Sequence, residues 1–270
     1  MTTQKFRKIV WEYYKQHGRN ELPWRKTDDP YKILVSEMML QQTQVERVIP
    51  YYTAFIKQYP NVRSLAKAPL SEVLKLWQGL GYNRRARFLH EASKYIVENY
   101  KGKIPNDAAE LESIWGIGPY TARAVMTFAH NHNTIFIETN IRTVIIHHFF
   151  KDTENVSDAD MTEVLKKVLP HGDARDWYSA LMDYGTYLKR SGVRTNTKVK
   201  GYTKQPAFTG SRREIRGAIV RALAKKPQTQ KQLHALFPQR KAEEIQSVVS
   251  TLIAEGMVVT SRAHYALPTR

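Results

Sequence analysis

A chain of 270 residues, 42% of them hydrophobic, is long enough for one large domain or two unequal ones, and no apolar run nears the ~18 residues of a membrane helix. Its formal charge of +17, from 42 Lys and Arg against 25 Asp and Glu, points to a polyanionic partner, with nucleic acid foremost. The absence of cysteine excludes disulfides, thiolate nucleophiles, thiolate zinc sites and cysteine-held iron–sulfur clusters.

Lys5, Arg7 and Lys8 near the start are not followed by the apolar core of a secretory signal, which predicts a cytoplasmic, nucleoid-associated protein with no membrane contact. From Lys5 to about Leu188 nearly every segment has helical period. Val45, Val48, Ile49, Tyr52, Phe55 and Ile56 form one apolar stripe, with Pro50 either tolerated inside it or starting a second piece. Prolines and glycines from Pro30 to Gly118 punctuate the chain at helix-length intervals, so residues 1–188 are expected to form a mainly α domain of helical lobes. The stretch 189–210 carries Lys189, Arg190, Arg194, Lys198, Lys200 and Lys204 with no acid, and is expected to be a flexible basic linker. Residues 211–270 predict three short helices and a terminal hairpin, Met257–Thr260 and His264–Leu267 about a Ser-Arg-Ala turn, resembling a winged helix.

One local motif bears on phosphate binding. Leu111 to Ala122 reads as a helix, a Gly-Ile-Gly turn and a second helix with Pro119 at its first position. Gly116 and Gly118 lack Cβ atoms, which lets the backbone approach a phosphate, and the N–H groups opening the next helix point at the anion. Such a hairpin grips DNA without reading its sequence.

Together with that hairpin, the blocks Leu22-Pro-Trp-Arg25, Asp29-Pro-Tyr31, Val35-Ser-Glu-Met-Met-Leu-Gln-Gln-Thr-Gln-Val45, Leu76-Trp-Gln-Gly-Leu-Gly-Tyr82 and Arg85-Ala-Arg-Phe-Leu-His90 resemble the helix-hairpin-helix DNA glycosylases. Among these, the chain is most similar to the MutY-type adenine DNA glycosylases, over roughly Leu22 to Leu188.

Cleaving an N-glycosidic bond needs a proton for the departing base and negative charge beside an oxocarbenium-like sugar, hence two carboxyl groups in different settings. Glu37, inside the apolar stretch Ile33–Leu40, matches the family's general acid. Glu138 stands where the resemblance implies an aspartate, which adds a methylene at a place where 1 Å can matter. Asn140 matches the asparagine that supports the site. Tyr120 occupies the position of the Schiff-base lysine in bifunctional relatives, so hydrolysis without strand cleavage is implied.

Gln42 and Tyr82 match the wedge residues that fill the gap left by a flipped base, and Trp24 and Arg25 resemble base-pocket residues. Arg85, with Arg84 and Arg87, is a phosphate candidate by charge, and Thr121 belongs with the hairpin's DNA contacts. His130, His132, His147 and His148 lack the acid and thiol company of a metal site, so no transition metal is assigned. The resemblance does imply an alkali cation at the hairpin, held by backbone carbonyls. The family's four cluster cysteines and its hydrolase-like C-terminal module have no counterpart after Tyr187.

These readings converge on a monomeric, monofunctional glycosylase acting on double-stranded DNA with a mispaired or damaged base, foremost adenine opposite 8-oxoguanine or guanine. A thymine or uracil mismatch glycosylase and a catalytically weak DNA-binding module are the alternatives.

Overall fold

The computed structural model describes residues 1–203, 205–261 and 263–269; Lys204 of the basic stretch and Arg262 of the expected hairpin turn lie outside the described residues. The elements begin with α1 (Thr3–His17), α2 (Pro30–Leu40), α3 (Val45–Gln58), α4 (Val62–Lys67), α5 (Leu70–Leu76), α6 (Arg84–Asn99) and α7 (Ala108–Ser113). They continue with α8 (Pro119–His130), α9 (Thr139–Phe149), α10 (Asp158–Val168) and α11 (Ala174–Arg190). The C-terminal part holds α12 (Arg212–Lys225), β1 (Gln228–Thr229), α13 (Gln230–His234), α14 (Ala242–Ala254), β2 (Val259–Ser261) and β3 (His264–Ala266). The mainly α expectation is met.

The chain divides into two compact units. The first comprises Met1–Leu34, Pro105–Glu112 and Gly118–Lys204. Its core gathers Phe6, Val10, Ile141, Val144, Ile145, Trp177, Tyr178 and Leu181. Burying whole Trp, Tyr and Phe side chains contributes the largest apolar area per residue, which makes α1, α9 and α11 a rigid platform. α11 approaches α9 closely because Gly185 has no Cβ; one built there would overlap the carbonyl of Asn140. The first half of the basic stretch is docked in this unit. Val199 pairs with Val156 in an isolated bridge, with Val156 N–H donating to Lys198 O at 2.8 Å and Lys200 N–H to Val156 O at 3.0 Å.

The second unit comprises Val35–Ile104, Ser113–Ile117 and Gln205–Arg270. α3 runs unbroken through Pro50, which lies on the exposed face, where water can reach a carbonyl that the ring displaces. Val48, Tyr52 and Phe55 form its buried face, and the Phe55 ring meets Trp77 edge-on at 5.8 Å. The three-stranded sheet has order β1-β3-β2, all antiparallel, with Thr229 opposite His264 and Val259 opposite Ala266. β1 was not anticipated, since two residues carry no periodicity to read. The segment expected as a winged helix packs within this unit: Ser71 N–H donates to Pro268 O at 3.0 Å, and Glu255 pairs with both Arg84 and Arg216.

Candidate active site

In the first unit Glu138 is the N-cap of α9. Its Oε1 accepts from the backbone N–H of Asn140 at 2.6 Å and of Ile141 at 2.7 Å, while Oε2 accepts from Asn140 Nδ2 at 3.2 Å. A carboxylate there satisfies orphan donors and faces the positive end of the helix dipole, so its oxygens are fixed in direction as well as place. Lys189 Nζ donates to Asn140 Oδ1 at 2.9 Å, which turns the other end of that amide toward Glu138. Burial pushes the Lys189 pKa below the ordinary lysine value, partly opposed by the Glu138 charge. Sequence reasoning placed Lys189 in a basic linker, yet it lies one helical turn after Gly185, whose missing side chain brings it to Asn140.

Tyr120, half-buried, meets Phe136 edge-on at 5.6 Å, and Phe136 stacks on Tyr178 at 4.0 Å. Burial lifts the Tyr178 phenol to about 12, and its hydroxyl donates to Thr134 O at 2.9 Å. Tyr120 is thus the outer ring of an aromatic stack and supplies no amine.

Trp24 is buried. Arg25, expected in a base pocket, pairs with Asp183: its two terminal nitrogens meet the carboxylate at 2.6 and 2.9 Å, and Arg19 Nε joins at 2.7 Å. A fork-shaped guanidinium and an almost fully buried carboxylate make a strong bidentate pair, which fixes the position of Arg25. Asp183 gave no signal in the sequence beyond its place in a helix.

In the second unit Glu37 is only 5% exposed on α2, flanked by buried Ser36 and Met38, the desolvated setting that a proton donor needs. Arg85 is buried too, which corrects its reading as a phosphate ligand. NH1 donates to the carbonyls of Met38 (2.9 Å), Met39 (2.9 Å) and Gln41 (2.5 Å), and NH2 to Gly81 O (3.0 Å) and Thr43 Oγ1 (3.1 Å). The last carbonyls of a helix have no partner within it, and this guanidinium satisfies them. Desolvation lowers its pKa to about 10. Arg85 therefore ties the end of α2 to the Leu80-Gly81 turn.

That tie holds two strained residues. Gln42 at φ 55 and Tyr82 at φ 48 both adopt the left-handed region without being glycine, a cost accepted mostly at functional sites. Arg84 is paired with Glu255, and Arg87 lies over the exposed Trp115 ring at 4.9 Å. In the hairpin, Gly116 has φ +91 and a Cβ there would come within 2.6 Å of Phe88 Cβ, so only glycine fits. Gly118 is the N-cap of α8 with Pro119 following, and open space surrounds its missing Cβ. Thr121 is buried, so its side chain is not a surface contact.

A family model described as the HhH-GPD superfamily of base excision DNA repair proteins matches residues 35–171. The chain belongs to this superfamily. It is 32% identical over 272 residues to an adenine DNA glycosylase of Mycolicibacterium smegmatis, covering 93% of this chain and 92% of the relative. It is 36% identical over 189 residues to an adenine DNA glycosylase of Buchnera aphidicola, of which it spans only 54%. A solved thermostable thymine-DNA glycosylase superposes with a TM-score of 0.60 and 29% identity, covering 68% of this chain and 87% of the other. The resemblance stated from the motif blocks and the fold expected from them both hold for this HhH-GPD protein.

Proposed function

We propose that this HhH-GPD protein is a monofunctional DNA glycosylase that removes adenine mispaired with 8-oxoguanine or guanine. The observation that carries the reading is the pair of contrasting carboxyl groups within the family match: Glu37 buried on α2, and Glu138 fixed at a helix N-terminus by Asn140. In the reaction, Glu37 gives its proton to the departing adenine as the bond to the sugar C1′ breaks, and the Glu138 charge faces the oxocarbenium-like sugar. Water then adds to C1′, keeping one proton in the new hydroxyl and passing the other to solvent, from which Glu37 is reprotonated. Tyr120 offers no amine for an imine with the sugar, so the product is an abasic site in an unbroken strand.

The protein works as a monomer on double-stranded DNA at the nucleoid; among the described residues no helix is long and apolar enough to cross a membrane. No iron–sulfur cluster enters the scheme, because the chain has no cysteine to ligate one and the corresponding stretch docks through Val199 on Val156. Among the described residues no group of three or more His, Cys, Asp and Glu could hold a metal ion; an alkali cation at the hairpin would be held by backbone carbonyls. A thymine or uracil mismatch substrate is the second reading, favoured by the likeness to the thymine-DNA glycosylase.

The test is base release from a panel of duplexes holding adenine, thymine or uracil in mispairs, with hot alkali to reveal abasic sites. Alkali-dependent cleavage at adenine is expected. Cleavage only at thymine or uracil selects the second reading, and cleavage without alkali defeats the monofunctional one.

A further inference from the structure

We propose that Trp115 and Arg87 form a two-part grip on one strand of the DNA beside the hairpin: the indole packs against a deoxyribose and the guanidinium takes the adjoining phosphate. This rests on the reading of the protein as an enzyme of double-stranded DNA, but not on which base it removes. Trp115 is 56% exposed, whereas Trp24, Trp77 and Trp177 are buried. A lone exposed apolar side chain is ordinary, so exposure by itself says nothing. The company of Trp115 carries the inference. The Phe88 ring meets the indole edge-on at 4.6 Å, and Arg87 lies over it with Cζ 4.9 Å from the ring centroid. An indole is the best cation–π partner among the side chains, so ring and charge are held together at the surface.

Arg87 differs from its neighbours on α6. Arg84 is paired with Glu255, and Arg85 gives its donors to buried carbonyls. Among the described residues no acceptor is bonded to the Arg87 side chain, and none to the Trp115 N–H. A Cβ built on Gly256 would sit 3.5 Å from the Arg87 Cζ, so the turn after α14 lies against the guanidinium and limits where it can swing. Trp115, Arg87, Phe88 and Gly256 all belong to the second unit, so the arrangement is internal to one body. In the chain the indole stands three residues before Gly118, the N-cap of α8, where open N–H groups suit a phosphate. An apolar face beside an unpaired cation matches the alternation of sugar and phosphate along a strand, and the indole N–H and guanidinium are donors only, as phosphate oxygens require. Such a contact adds affinity irrespective of base sequence.

Binding of the full chain to a fully paired duplex is read by anisotropy over a series of salt concentrations, and acrylamide quenching of tryptophan emission is read with and without saturating DNA. The duplex is expected to shield a quencher-accessible component of the wild-type emission that W115F lacks. W115A should bind about tenfold more weakly, the scale of an aromatic face withdrawn from water, and W115F should recover most of that loss. Both should melt near the parent temperature, because the side chain is exposed. R87M should lower the salt slope by about one. Wild-type quenching that DNA leaves unchanged overturns the proposal without recourse to any variant, as do parental affinity in W115A and a parental slope in R87M. If W115A loses affinity but no duplex releases a base, the glycosylase reading fails and this contact stands. If adenine is released and W115A binds like the parent, only this contact fails.

Discussion

Lys189 donates to Asn140 at 2.9 Å, and Asn140 in turn donates to Glu138, so a residue near the end of α11 orients a carboxylate at the start of α9. The arrangement explains why Gly185 is needed one turn earlier: any side chain there would push the two helices apart. Lys189→Met should leave Asn140 free to rotate and slow base release about tenfold, the scale expected when a positioning contact is lost. Because burial lowers the Lys189 pKa, the folded protein binds fewer protons than the unfolded chain just below pH 10.5, so stability rises with pH there. The variant should lose that rise in alkaline melts. An unchanged rate and an unchanged melting profile would remove Lys189 from the site.

Arg85→Met separates a structural guanidinium from a phosphate ligand. Removing it leaves the carbonyls of Met38, Met39 and Gln41 without their shared donor, at a cost of about 3 kcal/mol. The melting temperature should fall by roughly 6–12 °C, while the salt slope of DNA binding stays that of the parent. A fall of about one in that slope with no thermal effect is the signature of a phosphate contact.

How much the sequence disclosed depends on whether a residue's role was local. The α3 stripe, the Gly116 turn and the place of Glu37 in an apolar run all follow from neighbours within a few positions. The tertiary partners of Arg85, Arg25 and Lys189 were hidden for one reason: sequence neighbours do not disclose what distant packing brings to a charged side chain. Those partners lie 44, 158 and 49 positions away in the cases of Gln41, Asp183 and Asn140. The left-handed backbone at Gln42 and Tyr82 was equally hidden, since neither is a residue type that announces such a turn.

Removing residues 205–270 should destabilise the second unit as well as weaken DNA binding. The cut deletes the Glu255 carboxylate that pairs with Arg84 and the Pro268 carbonyl that accepts from Ser71. It also takes away Gln205 and Arg213 from Tyr82. Hydrogen exchange should quicken in α5 and α6 of the shortened chain. Protection equal to that of the full chain would show that these contacts contribute nothing to the helices they touch.

The two carboxyl groups invite three substitutions with different expected outcomes. Glu37→Gln preserves shape but cannot deliver a proton, so base release should fall by 10²–10⁴-fold, the usual share of a general acid, with DNA affinity nearly intact. Glu138→Gln keeps an oxygen to cap α9 but removes the charge that faces the sugar, so activity should fall while the melting temperature moves little. Glu138→Asp is the discriminating variant. Aspartate is a preferred N-cap and its shorter arm still reaches the N–H groups of Asn140 and Ile141, so stability should hold and base release should stay within about tenfold of the parent. A collapse of activity in Glu138→Asp with an intact melt would mean that the extra methylene is needed to place the charge. Unchanged rates in all three would remove both carboxyl groups from the chemistry.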